Sequence, residues 1–377
     1  MKIVLTGGGT GGHFYPLIAV AQEINKKIDT DKIANTELYY FSDTPYDKEA
    51  LFENRIRFTQ IPAGKLRLYF SLKNITDLFK TGYGIIVALW NLFKVFPDVI
   101  FAKGGYASFP TLFAARILKI PTIIHESDSA PGRVTVWAGK FAQYIALSYL
   151  EAASYFPKEK IARVGQPIRP ELENPMQDGA YEFLNLEKDV PIIFIMGGSL
   201  GAQIINDVVI QALPSLVNTY QIIHQVGKNN LDEITSRSEA ILAGNDFRNR
   251  YKPFGFLSPL SIRMSAGVAN IIVTRAGSAL FEIAAWGTPS LVIPITHSNN
   301  DHQRKNAYNY ARAGGCIVIE ENNFTPHVLI HETDRIINDI NLYNRMSQAA
   351  KEFYIPDAAE KIARKVIEIG LSHLPKE

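Results

Sequence analysis

Twice in this chain an apolar strand runs straight into a glycine-rich loop and then into a helix-like segment. The first is Lys2-Ile3-Val4-Leu5-Thr6-Gly7-Gly8-Gly9-Thr10-Gly11-Gly12; the second is Pro191-Ile192-Ile193-Phe194-Ile195-Met196-Gly197-Gly198-Ser199-Leu200-Gly201. A strand–glycine–helix unit opens a doubly wound α/β domain and puts the loop at the carboxyl end of its strand. Two such openings in 377 residues predict two Rossmann-like domains. Facing each other, they would line one cleft with both loops.

The rest of the chain alternates accordingly. Short runs rich in β-branched and aromatic residues at 2–5, 38–42, 99–102, 122–125 and 144–147 read as buried strands, with helical patterns between them, as at 16–27 and 110–118. After the proline-punctuated stretch Gly165-Gln166-Pro167-Ile168-Arg169-Pro170 and the polar segment 174–189, a second set begins at 191–196, 221–225, 271–274, 290–295 and 316–319. This alternation predicts parallel sheets with helices on both faces. The expected domains are 1–165 and 166–354, with a C-terminal helix at 355–377 packing back on the first.

Composition narrows the class. With 39 Lys+Arg against 37 Asp+Glu the net charge is +2, which gives no reason to expect a nucleic-acid partner. Cys316 is the single cysteine, so there is no internal disulfide framework and no cysteine zinc site, and a reducing compartment fits. The opening residues read as a strand and not as a signal peptide. The longest apolar stretch, 85–93, contains Asn91, ends at Lys94 and falls short of the ~20 residues of a spanning helix. A cytoplasmic enzyme without a membrane span is expected.

The loops carry the chemistry. Gly7 to Gly12 holds five glycines in six positions, more than a tight turn needs, and leads into a helix whose first N–H groups suit an anion. No Gly-Lys-Ser/Thr follows, so it is not a P-loop, and no acidic residue stands clearly at the end of the second strand as a dinucleotide fingerprint requires. His13, at the helix start, is a candidate general base or polar contact, though a lone histidine is often structural. Lys103-Gly104-Gly105-Tyr106-Ala107-Ser108 is a third glycine loop after a strand, and His125-Glu126-Ser127-Asp128 ends the next one. A carboxylate there could act as a base or bind sugar hydroxyls; as a metal site the trio His125, Glu126 and Asp128 points apart. In the second half Gly197-Gly198-Ser199 could hold a diphosphate, with Arg169 as a cationic partner. Thr274-Arg275-Ala276-Gly277-Ser278-Ala279-Leu280-Phe281-Glu282 puts Glu282 in a first helical turn, where it could accept from ribose hydroxyls or simply complement the helix dipole. The polar cluster Asp301 to Ala307, with Gln303 and Asn306, suits sugar hydroxyls or an ordinary solvated helix start.

Residues 65–103 differ from the rest. Lys65, Arg67, Lys73, Lys80, Lys94 and Lys103 face only Asp77 and Asp98, interleaved with large apolar groups. The run Lys65, Leu66, Arg67, Leu68, Tyr69, Phe70 is hard to bury and is expected to rest on an anionic membrane surface. Phe79, Tyr83, Ile86, Trp90 and Phe93 share one helical stripe, which is expected to be core.

Taken in order, Gly8–Pro16 (Gly-Gly-Thr-Gly-Gly-His-x-x-Pro), Gly104-Gly105-Tyr106-x-Ser108, His125-Glu126, Gly197-Gly198-Ser199-x-Gly201-Ala202, Arg275-x-Gly277 with Glu282, and Gln303-x-x-Asn306-Ala307 resemble the MurG family over nearly the whole chain. These are UDP-N-acetylglucosamine–N-acetylmuramyl-(pentapeptide) pyrophosphoryl-undecaprenol N-acetylglucosamine transferases. The resemblance implies a GT-B fold and an inverting, metal-independent transfer, without a cofactor, of N-acetylglucosamine to the C4 hydroxyl of the muramyl sugar of lipid I, giving lipid II. It implies a peripheral enzyme on the inner face of the plasma membrane, with other cell-wall synthesis proteins as partners. Thr10, Gly11, Gly12, Tyr106, Asp128 and Ala279 would contact substrates; Arg169 and Ser199 the diphosphate; Leu257 the uracil; Glu282 the ribose; and Gln303 the donor sugar. His13 is the candidate base and Glu126 the second choice. Asp128 stands where many members have Asn, Gln166 replaces an Asn, and the span from Arg275 to Glu282 is one residue short. A diacylglycerol glycosyltransferase, a UDP-N-acetylglucosamine 2-epimerase and a non-catalytic nucleotide-sugar binder are the alternatives.

Overall fold

The first strand, β1 (Lys2–Thr6), is buried over its last four residues, as a strand covered by helices on both faces must be. The fold is described from a computed structural model covering residues 1–33, 35–65, 71, 73–198, 201–296 and 298–372. Two compact units result: Met1–Arg169 together with the segment from Ile355, and Pro170–Tyr354.

In the first unit β1 is followed by α1 (Gly11–Asp31), β2 (Glu37–Ser42), α2 (Lys48–Glu53), β3 (Ile56–Gln60), α3 (Lys73–Val95), β4 (Val99–Ala102), α4 (Phe109–Leu118), β5 (Thr122–Glu126), α5 (Arg133–Gly139), β6 (Tyr144–Leu147) and β7 (Ile161–Arg163). Among the described residues these strands form one parallel sheet in the order β3-β2-β1-β4-β5-β6-β7. The order reverses between β1 and β4, so the loops after these two strands lie side by side at the switch point. The second unit runs α6 (Pro170–Glu173), α7 (Ala180–Phe183), β8 (Ile192–Met196), α8 (Gln203–Thr219), β9 (Gln221–Gln225), α9 (Leu231–Ile241), β10 (Tyr251–Phe254), α10 (Pro259–Val268), β11 (Ile271–Thr274), α11 (Ala279–Trp286), β12 (Ser290–Val292), α12 (His302–Ala313), β13 (Cys316–Val318), α13 (Pro326–Asn338) and α14 (Ile340–Phe353). Its parallel sheet is ordered β10-β9-β8-β11-β12-β13, with the switch between β8 and β11. The last helix, α15 (Ala358–Leu371), joins the core of the first unit: Ile362, Ala363 and Val366 cluster with Leu17 and Ile24, and Lys27 pairs with Glu360 at 3.1 Å.

Three strands escape the sequence reading, and each has a physical reason. β3 and β7 are sheet edges with exposed charged or polar positions, so they lack the continuous apolar run of a central strand. β10 contains Pro253, which is tolerated at the edge it occupies but argues against a strand in sequence. α1 begins at Gly11 and not at Pro16, which lies inside the helix.

The stripe on α3 is not core. Phe79, Tyr83, Ile86, Trp90 and Phe93 are all exposed, along with Ile75, Leu78 and Phe96. The buried face of α3 is the small one: Gly84, Ala88 and Leu92. A Cβ on Gly84 would lie 1.7 Å from the Pro62 carbonyl oxygen, so the helix seats backbone against backbone through its small residues. That close approach turns the bulky stripe outward. No helix among the described residues is long and apolar enough to cross a membrane.

Candidate active site

The glycine loop of the first unit is built by the end of β2. The Gly7 carbonyl accepts from Tyr40 Oη at 2.9 Å and Ser42 Oγ at 2.7 Å, and Thr6 Oγ1 donates to the Phe41 carbonyl at 2.8 Å. Gly8 has φ +138°, and a Cβ there would lie 2.4 Å from Ser42 Oγ. Only glycine fits. An acidic residue does follow β2, contrary to the sequence reading: Asp43 accepts from Tyr106 Oη at 2.8 Å. Burial and this carboxylate push the Tyr106 phenol up to about 12, so it stays protonated and braces the loop. No periodicity marks Asp43, because its role depends on Tyr106 arriving from the loop after β4.

Thr10 stands at the N-cap of α1, whose first turn carries no acidic residue. The amides of Gly11 and Gly12 lie in the first turn, at the positive end of a helix dipole that no acidic side chain of that turn offsets. Thr10 Oγ1 and His13 Nδ1 are 2.9 Å apart, which fixes the imidazole against the loop. The turn of Gly104 and Gly105, both at positive φ, places Gly105 beside the Cδ2–Nε2 edge of the same ring, 3.6 Å from where a Cβ on Gly105 would stand. Arg169 lays its guanidinium 4.1 Å from the centroid of Tyr15, on the second turn of α1.

At the end of β5, His125 and Glu126 are buried. His125 Nε2 lies 2.9 Å from the Gly165 carbonyl; burial first, then the neighbouring Lys103, hold its pKa well below the usual value, so the ring is neutral and donates. Glu126 accepts the amide of Asp128 at 3.0 Å and that of Gly132 at 3.2 Å, and also a bond from the Thr135 hydroxyl. It shapes its own loop. Asp128 is half-buried beyond it. No three His, Cys, Asp or Glu side chains among the described residues gather in a way that could hold a metal.

In the second unit Gly197 N donates to the Gln225 carbonyl at 3.2 Å and Gly201 N to the Gly198 carbonyl at 3.1 Å, folding the loop ahead of α8. A Cβ on Gly201 would lie 2.0 Å from the Val226 carbonyl oxygen. Ser199 lies outside the described residues, as do Leu66, Arg67, Leu68, Tyr69 and Phe70; Lys65 is exposed. Ala279 opens α11 and Glu282 is half-buried in its first turn. Leu257 is buried, its side chain part of a core with Met264 and Ile223. Gln303 Oε1 accepts the amide of Ile295 at 3.1 Å, and Asn306 Nδ2 donates to the Ala276 carbonyl at 3.3 Å, so α12 is tied to the loops after β11 and β12.

Sequence reasoning missed Glu321. Arg275 donates to the Ile293 carbonyl at 3.0 Å and pairs with Glu321 at 2.7 Å, whose other oxygen accepts from Thr296 N and Oγ1. Arg275 is thereby a brace for the segment after β12. Glu321 is remote in sequence and carries no local signal.

The glycosyltransferase family 28 N-terminal domain matches residues 3–147 and the C-terminal domain matches residues 192–362. The chain is 33% identical over 364 residues to the UDP-N-acetylglucosamine–N-acetylmuramyl-(pentapeptide) pyrophosphoryl-undecaprenol N-acetylglucosamine transferase of Treponema denticola, covering 92% of this chain and 89% of the relative. To the transferase of the same name from Shouchella clausii it is 35% identical over 352 residues, covering 93% and 95%. The chain belongs to the MurG family. A crystal structure of Acinetobacter baumannii MurG superposes with a TM-score of 0.72 at 22% identity, over 97% of this chain and 99% of that one. A UDP-N-acetylglucosamine 2-epimerase of Neisseria meningitidis, bound to that sugar nucleotide, superposes at 0.66 and 15% identity over 98% and 100%. The fold is GT-B, shared by this family and by the epimerases.

Proposed function

We propose that this enzyme transfers N-acetylglucosamine from UDP-N-acetylglucosamine to the C4 hydroxyl of the muramyl sugar of undecaprenyl-pyrophosphoryl-N-acetylmuramyl-pentapeptide, giving lipid II. The observation that carries this reading is 33–35% identity to transferases of that name over nearly their whole length. The epimerases share only the fold, at 14–16% identity.

His13 is the base. With Nδ1–H donating to Thr10 Oγ1, Nε2 carries the lone pair that removes the acceptor hydroxyl proton as the hydroxyl attacks the anomeric carbon from the face opposite UDP. The leaving diphosphate gains charge as the glycosidic bond breaks. The backbone amides at the start of α1 and the Arg169 guanidinium are the groups that take up that charge. Glu282 accepts from the ribose hydroxyls, and Gln303, held by the Ile295 amide, addresses the donor sugar. Glu126, with both oxygens engaged by its own loop, sets the position of Asp128 for the acceptor.

The acceptor is anchored by a polyprenyl chain, so the enzyme works at the inner surface of the plasma membrane. The exposed stripe of α3, flanked by Lys73, Lys80 and Lys94, is the surface that meets the lipid. Transfer of labelled N-acetylglucosamine from UDP-N-acetylglucosamine to a short-chain lipid I analogue tests the reading. A labelled disaccharide lipid with release of UDP is the expected result; bound donor without transfer overturns it.

A further inference from the structure

After β12 the backbone leaves the sheet at a proline. The Ile293 N–H still donates to the Thr274 carbonyl at 2.8 Å, but Pro294 has no N–H to give. The next two backbone N–H groups are both taken by side chains from elsewhere in the second unit. Ile295 N donates to Gln303 Oε1 at 3.1 Å, and Thr296 N donates to one oxygen of Glu321 at 3.0 Å. Thr296 Oγ1 donates to that same oxygen at 2.8 Å. With no sheet ladder to place it, this segment lies where Gln303 and Glu321 hold it.

Glu321 is itself held. Its other oxygen pairs with Arg275 Nη2 at 2.7 Å, and Arg275 Nη1 donates to the Ile293 carbonyl at 3.0 Å, so one guanidinium ties the carboxylate to the start of the segment. The two side chains are 15% and 11% exposed, and no other ion pair among the described residues has both partners so little exposed. Burial alone would raise the carboxyl; the two Thr296 donors and Arg275 outweigh it and bring Glu321 below its ordinary value, so it is ionised at neutral pH. A buried ion pair adds little net stability, because desolvation offsets the attraction, but it fixes geometry. The preceding carboxylate, Glu320, accepts from Arg304 Nε at 3.1 Å and Tyr308 Oη at 2.7 Å on α12. The residues that follow β13 thus hold both the helix that carries Gln303 and the amide that Gln303 contacts.

That contact decides which end of the Gln303 amide is presented. A glutamine side chain has one acceptor oxygen and one donor NH₂. Because Ile295 offers an N–H, the oxygen must face it, and the NH₂ is turned away from the segment. Without the Ile295 amide in place, the two ends could exchange.

We propose that Glu321 is a positioning residue for the donor sugar: by holding Thr296 against Arg275 it keeps the Ile295 amide on Gln303, so that Gln303 presents its NH₂ group, a hydrogen-bond donor, to a sugar oxygen. The proposal rests on the reading of Gln303 as the contact to the donor sugar.

Glu321→Gln tests it in the whole enzyme. Its amide oxygen can serve Thr296 or Arg275 but not both, and its NH₂ then meets a donor. In the ligand-free variant the amides of Ile295 and Thr296 should exchange hydrogen roughly tenfold faster, the worth of a bond to a charged acceptor. The Kd for UDP-N-acetylglucosamine should rise roughly threefold to tenfold, the worth of one neutral hydrogen bond, while the Kd for UDP and the acceptor KM stay within twofold. Glu321→Gln combined with Gln303→Ala should bind UDP-N-acetylglucosamine no more weakly than Gln303→Ala alone, because Glu321 acts through Gln303. Equal weakening of UDP and UDP-N-acetylglucosamine would mean a merely structural role and overturn the proposal, as would unchanged amide exchange or losses that multiply in the double variant. Should Glu321→Gln not fold, Thr296→Val deletes one bond to Glu321 and keeps the ion pair; an unmoved ratio of the two Kd values there overturns the proposal equally. Gln303→Ala with unchanged affinity for UDP-N-acetylglucosamine removes Gln303 from the sugar and the proposal with it. Wild-type enzyme that binds the donor but does not transfer overturns the functional reading alone, since neither binding nor exchange needs turnover.

Discussion

Replacing Phe79, Trp90 and Phe93 together by serine removes the centre of the α3 stripe. These side chains are 74%, 59% and 67% exposed. A large aromatic side chain offers roughly 150–250 Å², so each of these presents on the order of 100–150 Å² to its surroundings. At ~25 cal/mol per Å², full removal from water is worth roughly 3 kcal/mol per residue. A helix lying in the headgroup region sinks only part of that area, and about half, roughly 1.5 kcal/mol each, is the working figure. Three residues together contribute roughly 4–5 kcal/mol, or about a thousandfold in partition coefficient. Co-sedimentation with vesicles containing phosphatidylglycerol reads this directly, and added salt weakens what the lysines retain. Because the three side chains sit in water in the folded protein, the melting temperature should hold, with stability changing by about 0.5 kcal/mol or less. Transfer to a short-chain soluble acceptor should hold as well, while transfer to vesicle-borne lipid I falls. Vesicle partition within threefold of wild type would refute the assignment of this face.

His13, Glu282 and the stability of the second unit give three further predictions. His13→Ala should lower kcat by roughly 10²–10⁴ with donor KM little changed; turnover equal to wild type would remove His13 as the base. Glu282→Ala should raise KM for UDP-N-acetylglucosamine roughly tenfold to a hundredfold, the worth of a charged acceptor with hydroxyl partners, and a donor KM within twofold of wild type would count against the ribose assignment. Burial pushes His224 down to about 3 from 6.5, and its Nδ1 lies 3.0 Å from Tyr251 Oη. The unfolded chain therefore takes up a proton below pH 6.5 that the folded one refuses, and stability drops by about 1.4 kcal/mol per pH unit as pH falls from there. Melting curves between pH 7 and 5 should show a shallower slope in His224→Phe; an unchanged slope would show that this histidine does not contribute.

Much of the framework of the candidate site was legible because glycine loops, strand ends and helix starts leave local marks. Gly7 to Gly12, Gly104-Gly105 and Gly197-Gly198 each sit at the carboxyl end of the strand that precedes them. What stayed hidden were residues whose roles depend on partners distant in sequence. Asp43 became a brace only when Tyr106 reached it. Glu321 became one only when Arg275 did. Lys103 counted only as the start of a glycine loop and one of the basic residues of 65–103; the tertiary structure buries it at the switch point.

α3 shows the division most plainly. Its sequence determined a helix with a stripe of large apolar residues, since that follows from spacing alone. Whether the stripe faces core or water was undetermined, because a hydrophobic stripe satisfies either a protein interior or a lipid surface. Tertiary structure decided it through the opposite face, where Gly84 allows contact with the Pro62 backbone that no larger residue permits. Likewise, alternation along the chain determined two parallel α/β units, a property of local runs. Only the three-dimensional strand order, with its reversals between β1 and β4 and between β8 and β11, decided which loops stand together at the switch point of each unit.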